Sequence, residues 1–187
     1  MKGAKGSADE GGVRVPFFVR WQGKFGAGRE IEKLSAHIDL LPTLADIAGI
    51  SKLPKGQIDG RSLVPLLKNP KAEWTDRYLF TQRARWKTGS EPTDHMWKGF
   101  AVRNERFRLV ENSLYDMKVD PDQTTNVADK YPKIVISMRK AYEKFWEETR
   151  PLMVNEDVPM SPTRPFHVLY EKQLQNEGIP NWKEPKL

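Results

Sequence analysis

Apolar and polar positions follow two different patterns on either side of residue 70. Val13 to Trp21 is a nearly continuous apolar run, which is typical of a strand buried on both faces. Behind Asp39, apolar residues recur at helical spacing up to Gly49. Because Asp is favoured at helix N-caps and Gly follows helix ends, a short buried helix is predicted there. A second, brief helical piece is predicted at residues 63 to 67.

Beyond residue 77 the pattern becomes that of an antiparallel sheet followed by a helix. Short segments rich in β-branched and aromatic residues alternate with turn residues. The predicted strands are Arg77 to Gln82, Gly99 to Arg103, Phe107 to Glu111 and Ser113 to Met117. Tyr131-Pro132 then begins an amphipathic helix, whose apolar stripe includes Met138, Tyr142 and Trp146. The stripe predicts that this helix packs on the sheet.

These patterns divide the chain into three predicted parts. Residues 1 to 70 form an α/β fragment, residues 71 to 150 a small α+β subdomain, and residues 151 to 187 an extended tail. The subdomain is predicted to be a four-stranded antiparallel sheet packed on a C-terminal helix. Within the tail, Phe166 to Asn176 has the pattern of a further helix. The long polar and aromatic loop at residues 84 to 98 is a candidate functional element, because long loops in compact domains often carry function.

Composition narrows the classes of partner and chemistry. The 187 residues contain no cysteine, which excludes disulfides and thiolate metal sites within them. No apolar run is long enough to span a bilayer, and the first residues lack the apolar core of a signal peptide. The net charge is +6, but basic residues alternate with acidic ones and form no long block. We therefore expect neither a nucleic-acid nor a membrane partner.

The first candidate for chemistry is Lys5, which precedes several glycines. A lysine ammonium is a compact cation with three donors, suited to a sulfate or phosphate oxygen. Gly6, Gly11 and Gly12 are expected to provide backbone turns that other residues disfavour. Taken alone, a lysine beside glycines is more often an ordinary solvated loop residue. The wider sequence changes this interpretation.

Four segments stand out, in order along the chain: KGSADEGGVRVPFFVRWQGKFGAG, HIDLLPTLADIAGI, IDGRSLVPLL and NSLYDMKVDPDQTTNVA. Together they resemble the type I sulfatases, the formylglycine-dependent enzymes of the alkaline phosphatase-like superfamily. The resemblance covers residues 3 to 150 and corresponds to the C-terminal part of a sulfatase. It implies that residues 1 to 70 are the end of the sulfatase sheet domain, and that the parent protein hydrolyses sulfate esters.

The resemblance also assigns roles to residues. Lys5 matches the family lysine that contacts the substrate sulfate. Arg14, in the motif behind it, is either a buried guanidinium paired with Glu10 or a backbone carbonyl, or a substrate contact. The loop of residues 84 to 98 would recognise the leaving group, because aromatic faces stack on sugars and cations meet neighbouring sulfates. Its candidate substrate-binding residues are Arg85, Trp86, His95 and Trp97, with Arg83, Lys87 and Lys98 beside them.

Two alternatives attach to these residues. His95 could act as a general acid toward a departing alkoxide. The whole loop could equally be a solvated segment without function, given its length and polarity.

His37 and Asp39 could form a catalytic pair, but we interpret Asp39 as the helix cap.

Other parts of sulfatase chemistry are absent from these residues. The family motif Cys/Ser-x-Pro-x-Arg, which supplies formylglycine, has no match, because Ser161-Pro162-Thr163-Arg164 has the wrong spacing. Three carboxylates, those of Asp116, Asp120 and Asp122, come closest to a metal cluster, but the Pro-Asp sequence there is typical of a turn. The resemblance implies calcium in the intact parent enzyme, while none is expected to be held by this chain alone. The chain alone is also expected to be inactive.

The resemblance further implies a sulfated small molecule or glycan as substrate, the N-terminal half of the enzyme as partner, and a periplasmic or secreted location. Two other functions remain open. One is a non-catalytic module that binds anionic glycans, which the positive net charge would favour. The other is part of a related phosphate-ester or phosphonate-ester hydrolase.

Overall fold

The computed structural model describes residues 1–50, 53, 56–83, 90–153, 165–176 and 178. Its contacts divide the chain into two compact units, Met1–Leu152 and Met153–Leu187. The helices are α1 Glu10–Val13, α2 Leu40–Ile47, α3 Val64–Lys68, α4 Pro132–Thr149 and α5 Pro165–Asn176. The strands are β1 Leu79–Gln82, β2 Phe100–Arg103, β3 Phe107–Val110 and β4 Ser113–Asp116. No helix within the described residues is long and apolar enough to cross a membrane.

The four strands form one antiparallel sheet in the order β1-β2-β3-β4, as the sequence predicted. The register pairs Phe80 with Val102 and Leu109 with Leu114. The turn between β2 and β3 is closed by the side chain of Asn104, which accepts hydrogen bonds from the backbone amides of Arg106 and Phe107. Local hairpins of this kind explain why the strands follow one another in space.

Helix α4 covers this sheet. Met138, Tyr142 and Trp146 recur every four residues, and all three are buried. The Tyr142 ring stacks on Phe100 of β2 at a centroid distance of 4.3 Å. Full burial of a large apolar side chain contributes roughly 1.5–3 kcal/mol, so this stripe is a main source of stability. The predicted packing of the helix on the sheet is confirmed.

The predicted strand at Val13 to Trp21 is wrong for this structure. Glu10–Val13 is a helical turn, and the described strands all lie beyond residue 78. The apolar side chains that follow α1 are exposed, with Val15 at 74% and Phe18 at 90%. A strand requires a neighbour for its backbone hydrogen bonds, and no described strand lies beside this segment.

Helix α2 occurs where it was predicted, and Gly49 with φ of +71° follows its end. It is not buried as expected, because Leu41 and Leu44 are 56% and 62% exposed. Its buried residues are Thr43 and Ala45. The hydroxyl of Thr43 accepts a hydrogen bond from the Leu63 backbone amide, so a polar contact ties α2 to the segment before α3.

Asp39 is fully buried and stands at the N-cap position of α2, as predicted, but its side chain makes no capping hydrogen bond to that helix. Its carboxylate accepts hydrogen bonds from the backbone amides of Ala36 and Arg61, at 2.9 and 2.8 Å, and forms a two-pronged ion pair with Arg77. Burial by itself would raise the pKa of Asp39, but the hydrogen bonds from Arg77, Arg61 and Ala36 outweigh it and hold the pKa below its usual range. His37 is exposed, and the carboxylate that could have paired with it is occupied.

The second unit contains one described helix, α5. It confirms the helical pattern at Phe166 to Asn176. Its residues are exposed throughout.

Candidate functional site

Lys5 lies at the tip of an exposed turn. The turn is closed by a hydrogen bond of 2.9 Å from the Ser7 backbone amide to the Ala4 carbonyl oxygen. Gly6 has φ of +88°, a conformation that a side chain disfavours. The Lys5 ammonium has no polar partner among the described residues, so its three donors are available to an oxyanion. The sulfate contact that the family resemblance implies for Lys5 stays a prediction.

Gly11 and Gly12 serve a different purpose from the one predicted. Neither has positive φ, so neither is required for a turn. A Cβ atom on Gly11 would lie 2.6 Å from the Gly3 carbonyl oxygen, and one on Gly12 would lie 2.8 Å from the Ala4 carbonyl oxygen. Both distances are too short for real contacts. The two glycines therefore allow α1 to pack directly against the backbone of the Lys5 turn.

Arg108, on β3, is the most buried cation of the site, with 2% of its surface exposed. One guanidinium nitrogen donates to the Glu10 carboxylate at 2.8 Å and another donates to the Ala8 carbonyl oxygen at 2.6 Å. Burial lowers the pKa of Arg108, and the Glu10 charge opposes that change. Glu10 is thus paired with Arg108, while Arg14 is exposed. The proposal that a buried Arg14 pairs with Glu10 is wrong.

Two further side chains hold the same loop. Gln123, 3% exposed, accepts a hydrogen bond from the Glu10 backbone amide at 2.8 Å and donates to Asp9 at 3.4 Å. The Lys2 ammonium donates to the Tyr115 hydroxyl at 2.7 Å, and this bond raises the pKa of Lys2. Sequence reasoning missed Arg108, Gln123 and Tyr115. One signal was available, because Arg108 is a charged residue in the middle of an apolar strand.

A cavity of about 360 Å³ lies beside this ion pair. Arg14, Arg103 and Arg108 contribute three positive charges to its lining, against the single carboxylate of Glu10. Arg103 is half-buried, and this burial lowers its pKa. The rest of the lining is mostly apolar and includes Phe17, Leu40, Leu63 and Phe80. The lining thus combines a mostly apolar surface with more positive than negative charge.

The structure places only two of the four predicted substrate-binding residues. Arg85 and Trp86 lie outside the described residues, whereas His95 ends a short 3-10 helix, Pro92–His95. Trp97 is 37% exposed, and its ring packs edge-on against Phe100 at 5.4 Å. The Arg139 guanidinium lies 5.1 Å from the Trp97 ring centre.

The fold holds Lys5 and Trp97 by different elements. The Lys5 loop is tied to β3, β4 and the turn beyond them. Trp97 is tied to β2 and α4, through Phe100 and Tyr142. No described contact joins the two groups, and therefore the substrate-binding role of His95 and Trp97 stays a prediction.

The carboxylates near the end of β4 do not fit a calcium site. Asp116 forms an ion pair with Arg106 at 2.7 Å, and this contact lowers the pKa of Asp116. Asp120 accepts hydrogen bonds from the backbone amides of Thr124 and Thr125 at 2.9 and 2.8 Å, which confirms the predicted turn. Among the residues that the structure describes, no group of three or more His, Asp or Glu side chains could hold a metal ion.

Comparison with known sequences agrees with the resemblance in the motifs. Residues 5–148 match the model of a family described as N-sulphoglucosamine sulphohydrolase, C-terminal. Mouse (Mus musculus) steryl-sulfatase is 39% identical over an alignment of 107 residues, and the match covers 54% of this chain and 16% of that protein. Human (Homo sapiens) arylsulfatase K is 32% identical over an alignment of 144 residues, and the match covers 72% of this chain and 26% of that protein. The chain thus spans only a minor part of these relatives' length.

A solved structure shares the fold. It comes from work on the metabolism of multiple glycosaminoglycans by Bacteroides thetaiotaomicron, and it matches with a TM-score of 0.57 and 22% sequence identity. The match covers 75% of this chain and 31% of that one. At this identity the likeness concerns the fold alone.

Proposed function

This chain belongs to the sulfatases of the alkaline phosphatase-like superfamily, as a C-terminal portion, and on this basis we propose that it supplies the sulfate-contacting lysine of a sulfuric ester hydrolase. The observation that carries the proposal is the Lys5 turn. It presents an ammonium without a polar partner at the start of the matched region, and hydrogen bonds hold the flanking residues in place.

The proposed role of Lys5 is electrostatic. Hydrolysis cleaves the S–O bond of a sulfate ester, leaving an alcohol and sulfate, and negative charge shifts over the transferred group and the departing oxygen. A fixed cation close to that group stabilises the transition state more than it stabilises the free substrate. The lysine forms no covalent bond in this scheme, so the nucleophile must be another group.

We infer that the 187 residues alone do not turn over sulfate esters. They contain no cysteine and no Ser-x-Pro-x-Arg motif from which formylglycine could form. The described carboxylates also form no calcium site. In this proposal, the remaining sulfatase polypeptide covers the exposed apolar side chains at Val15 to Trp21 and on α2.

The substrate is proposed to be a sulfated small molecule or glycan. The relatives' names include a steryl-sulfatase and an arylsulfatase, and the matched family is described as N-sulphoglucosamine sulphohydrolase. These names agree on the sulfo group and differ in its carrier. Leaving-group recognition is assigned to the loop with Arg85, Trp86, His95 and Trp97. The partly exposed Trp97 ring beside the Arg139 guanidinium offers an apolar face next to a cation, a pair suited to a sulfated ring.

The decisive test is Lys5→Ala in an intact enzyme that contains this chain. Turnover of an aryl sulfate should fall on the order of a hundredfold or more, because one electrostatic contact to the transition state is lost. The melting temperature should not change, since the Lys5 side chain has no packing role. Lys24→Ala is the matched control, because Lys24 is also an exposed lysine near the N-terminus. Full turnover in Lys5→Ala would reject the assignment.

A second assay uses the 187-residue chain alone. With an aryl sulfate, with or without added calcium, we expect no turnover above the buffer background. Turnover that disappears in Lys5→Ala would contradict the inference that the chain is inactive by itself. A preference of the intact enzyme for phosphate or phosphonate monoesters would favour the related hydrolase instead.

A further inference from the structure

We propose that the small antiparallel sheet positions the catalytic lysine, and that Arg108, together with Gln123, is the positioning residue. The role of Lys5 in this inference rests on the proposed function. The other part of the inference is that Arg108 and Gln123 fix the backbone of residues 2 to 12, the Lys5 loop; we call this arrangement the clamp. The clamp rests on geometry alone, so it can fail while the role of Lys5 holds, and the reverse.

The Lys5 turn is anchored on both sides. Before it, Lys2 is bound to the Tyr115 hydroxyl at 2.7 Å. After it, Ala8 and Glu10 are bound to the Arg108 guanidinium at 2.6 and 2.8 Å. Only residues 3 to 7 lie between the two anchors. The partners of these loop residues, Tyr115 and Arg108, belong to β4 and β3, about a hundred positions away in sequence.

The choice of arginine is informative. Its planar guanidinium donates in two directions at once, to a carboxylate and to a carbonyl oxygen, which a lysine ammonium at one point could not reproduce. A buried ion pair is also weak as a source of stability, since the desolvation of both charges can exceed their attraction. The 2% exposure of Arg108 therefore favours a role in fixing geometry over a role in stabilising the fold.

The Lys5 loop is packed too tightly to rearrange and replace a lost hydrogen bond to Arg108. Gln123 fixes the Glu10 backbone amide directly, at 2.8 Å. Gly11 donates its amide to the Lys2 carbonyl oxygen at 2.8 Å, and neither Gly11 nor Gly12 leaves room for a Cβ atom. The backbone on either side of Lys5 is thus closely packed, and its hydrogen bonds to Arg108 hold it against the sheet.

Positioning matters because the lysine side chain is long and flexible. Electrostatic stabilisation requires a charge that is already in place, and a displacement of about 1 Å can reduce a rate on the order of a hundredfold. A fixed backbone restricts the volume that the ammonium samples. In this way a residue of the antiparallel sheet contributes to the chemistry without touching substrate.

The test uses the full 187-residue chain and amide hydrogen exchange measured by NMR. In Arg108→Gln, the Gly11 and Gly12 amides should exchange at least tenfold faster, while the Leu109 and Leu114 amides in the sheet keep their rates. Arg108→Lys should give an intermediate effect. Arg106→Gln is the matched control, because Arg106 forms an arginine–aspartate pair with Asp116 on the same sheet and has no contact with the Lys5 loop among the described residues.

A second readout follows the lysine itself. Sodium sulfate, compared with sodium chloride at equal ionic strength, should shift the Gly6 and Ser7 amide signals. Lys5→Ala should abolish this shift, Arg108→Gln should reduce it, and Arg106→Gln should leave it unchanged. A purely structural role of Arg108 would not alter a sulfate response in a chain that remains folded.

The outcomes separate the two claims. Unchanged exchange at Gly11 and Gly12 in folded Arg108→Gln would overturn the clamp. Faster exchange there, without any sulfate shift in the unmodified chain, would support the clamp and overturn the claim that Lys5 binds sulfate in this chain. If Arg108→Gln does not fold, Gln123→Ala decides. It removes the acceptor of the Glu10 amide and should loosen the same two glycines, and if their exchange stays unchanged the clamp is overturned.

Discussion

The sheet with α4 and the N-terminal region are similarly rich in apolar residues and opposite in burial. Leu109 and Leu114 in the sheet are fully buried, whereas Phe18 and Leu44 in the N-terminal region are 90% and 62% exposed. The sheet is covered by α4, which lies a few dozen residues further along the chain. An apolar pattern therefore identifies a surface that requires cover, but it does not identify the segment that provides it.

The two regions are joined by charge. Asp39, before α2, pairs with Arg77, before β1. Glu10, in α1, pairs with Arg108 on β3. Both pairs are mostly withdrawn from solvent, so each places a charged group of the N-terminal region against the subdomain. The following predictions test this division.

The largest difference is expected in hydrogen exchange. Amides of β2, β3 and the middle of α4 should exchange only through global unfolding, whose free energy is about 5–15 kcal/mol for domains of this kind. Amides of residues 15 to 20 donate to no backbone group among the described residues, so they should exchange at nearly unprotected rates. Stronger protection at residues 15 to 20 than at Met138 or Tyr142 would reverse the comparison.

The next effect concerns the ion pair that joins the regions. Asp39→Ala leaves Arg77 without its partner and two backbone amides without their acceptor, and it should cost about 3–5 kcal/mol of unfolding free energy. Asp122→Ala is the control, because its ion pair with the N-terminal amine is exposed and worth about 0–1 kcal/mol. Urea denaturation measures both. Equal losses in the two variants would show that burial of the Asp39 pair does not matter.

A matched pair of leucines tests the apolar half of the comparison. Leu109→Ala should cost about 2–5 kcal/mol, because it leaves a cavity in the sheet core. Leu44→Ala removes the same atoms from an exposed face of α2 and should change the stability by less than about 0.5 kcal/mol. Urea denaturation of both variants at one pH is sufficient. A large loss in Leu44→Ala would mean that α2 is covered within this chain.

The sheet and α4 were predictable because their signals are local. Alternation defines each strand, and turn residues such as Asn104 define its ends, so the four strands agree with the prediction within about two residues. The buried stripe of Met138, Tyr142 and Trp146 could be predicted from the four-residue spacing alone. In this subdomain each element finds its partner next to it in sequence.

The failures share a different cause. The strand expected at Val13 to Trp21 depended on neighbours that the pattern could not name. The Asp39 side chain, expected to bond to the first turn of α2, instead pairs with Arg77, which lies 38 positions away. The exposed Lys5 turn was found, but its anchor Arg108 lies 98 positions beyond Glu10. Pairing between distant polar residues leaves no period in a sequence, and therefore the clamp could be found only in the structure.

The smallest expected effect is a loss of stability in acid. The pKa of Asp39 is lowered in the folded state, with burial opposing and the bonds from Arg77, Arg61 and Ala36 dominating. A carboxylate with a lowered pKa stabilises the fold above its unfolded pKa, about 3.9, and this contribution is lost as the pH falls toward the folded value. The unfolding free energy of the chain should therefore be flat near neutral pH and decrease below about pH 4.

Asp39→Asn separates this contribution from those of the other carboxylates. Asn cannot titrate, so the decrease below about pH 4 should be shallower in this variant, although its stability at neutral pH is lower. Asp116 also has a lowered pKa, through Arg106, and should account for part of the remaining slope. Urea denaturation at several pH values measures both slopes. If the two chains lost stability in parallel, the ionised Asp39 would not be what links the N-terminal region to the sheet, and the comparison would rest on Glu10 and Arg108 alone.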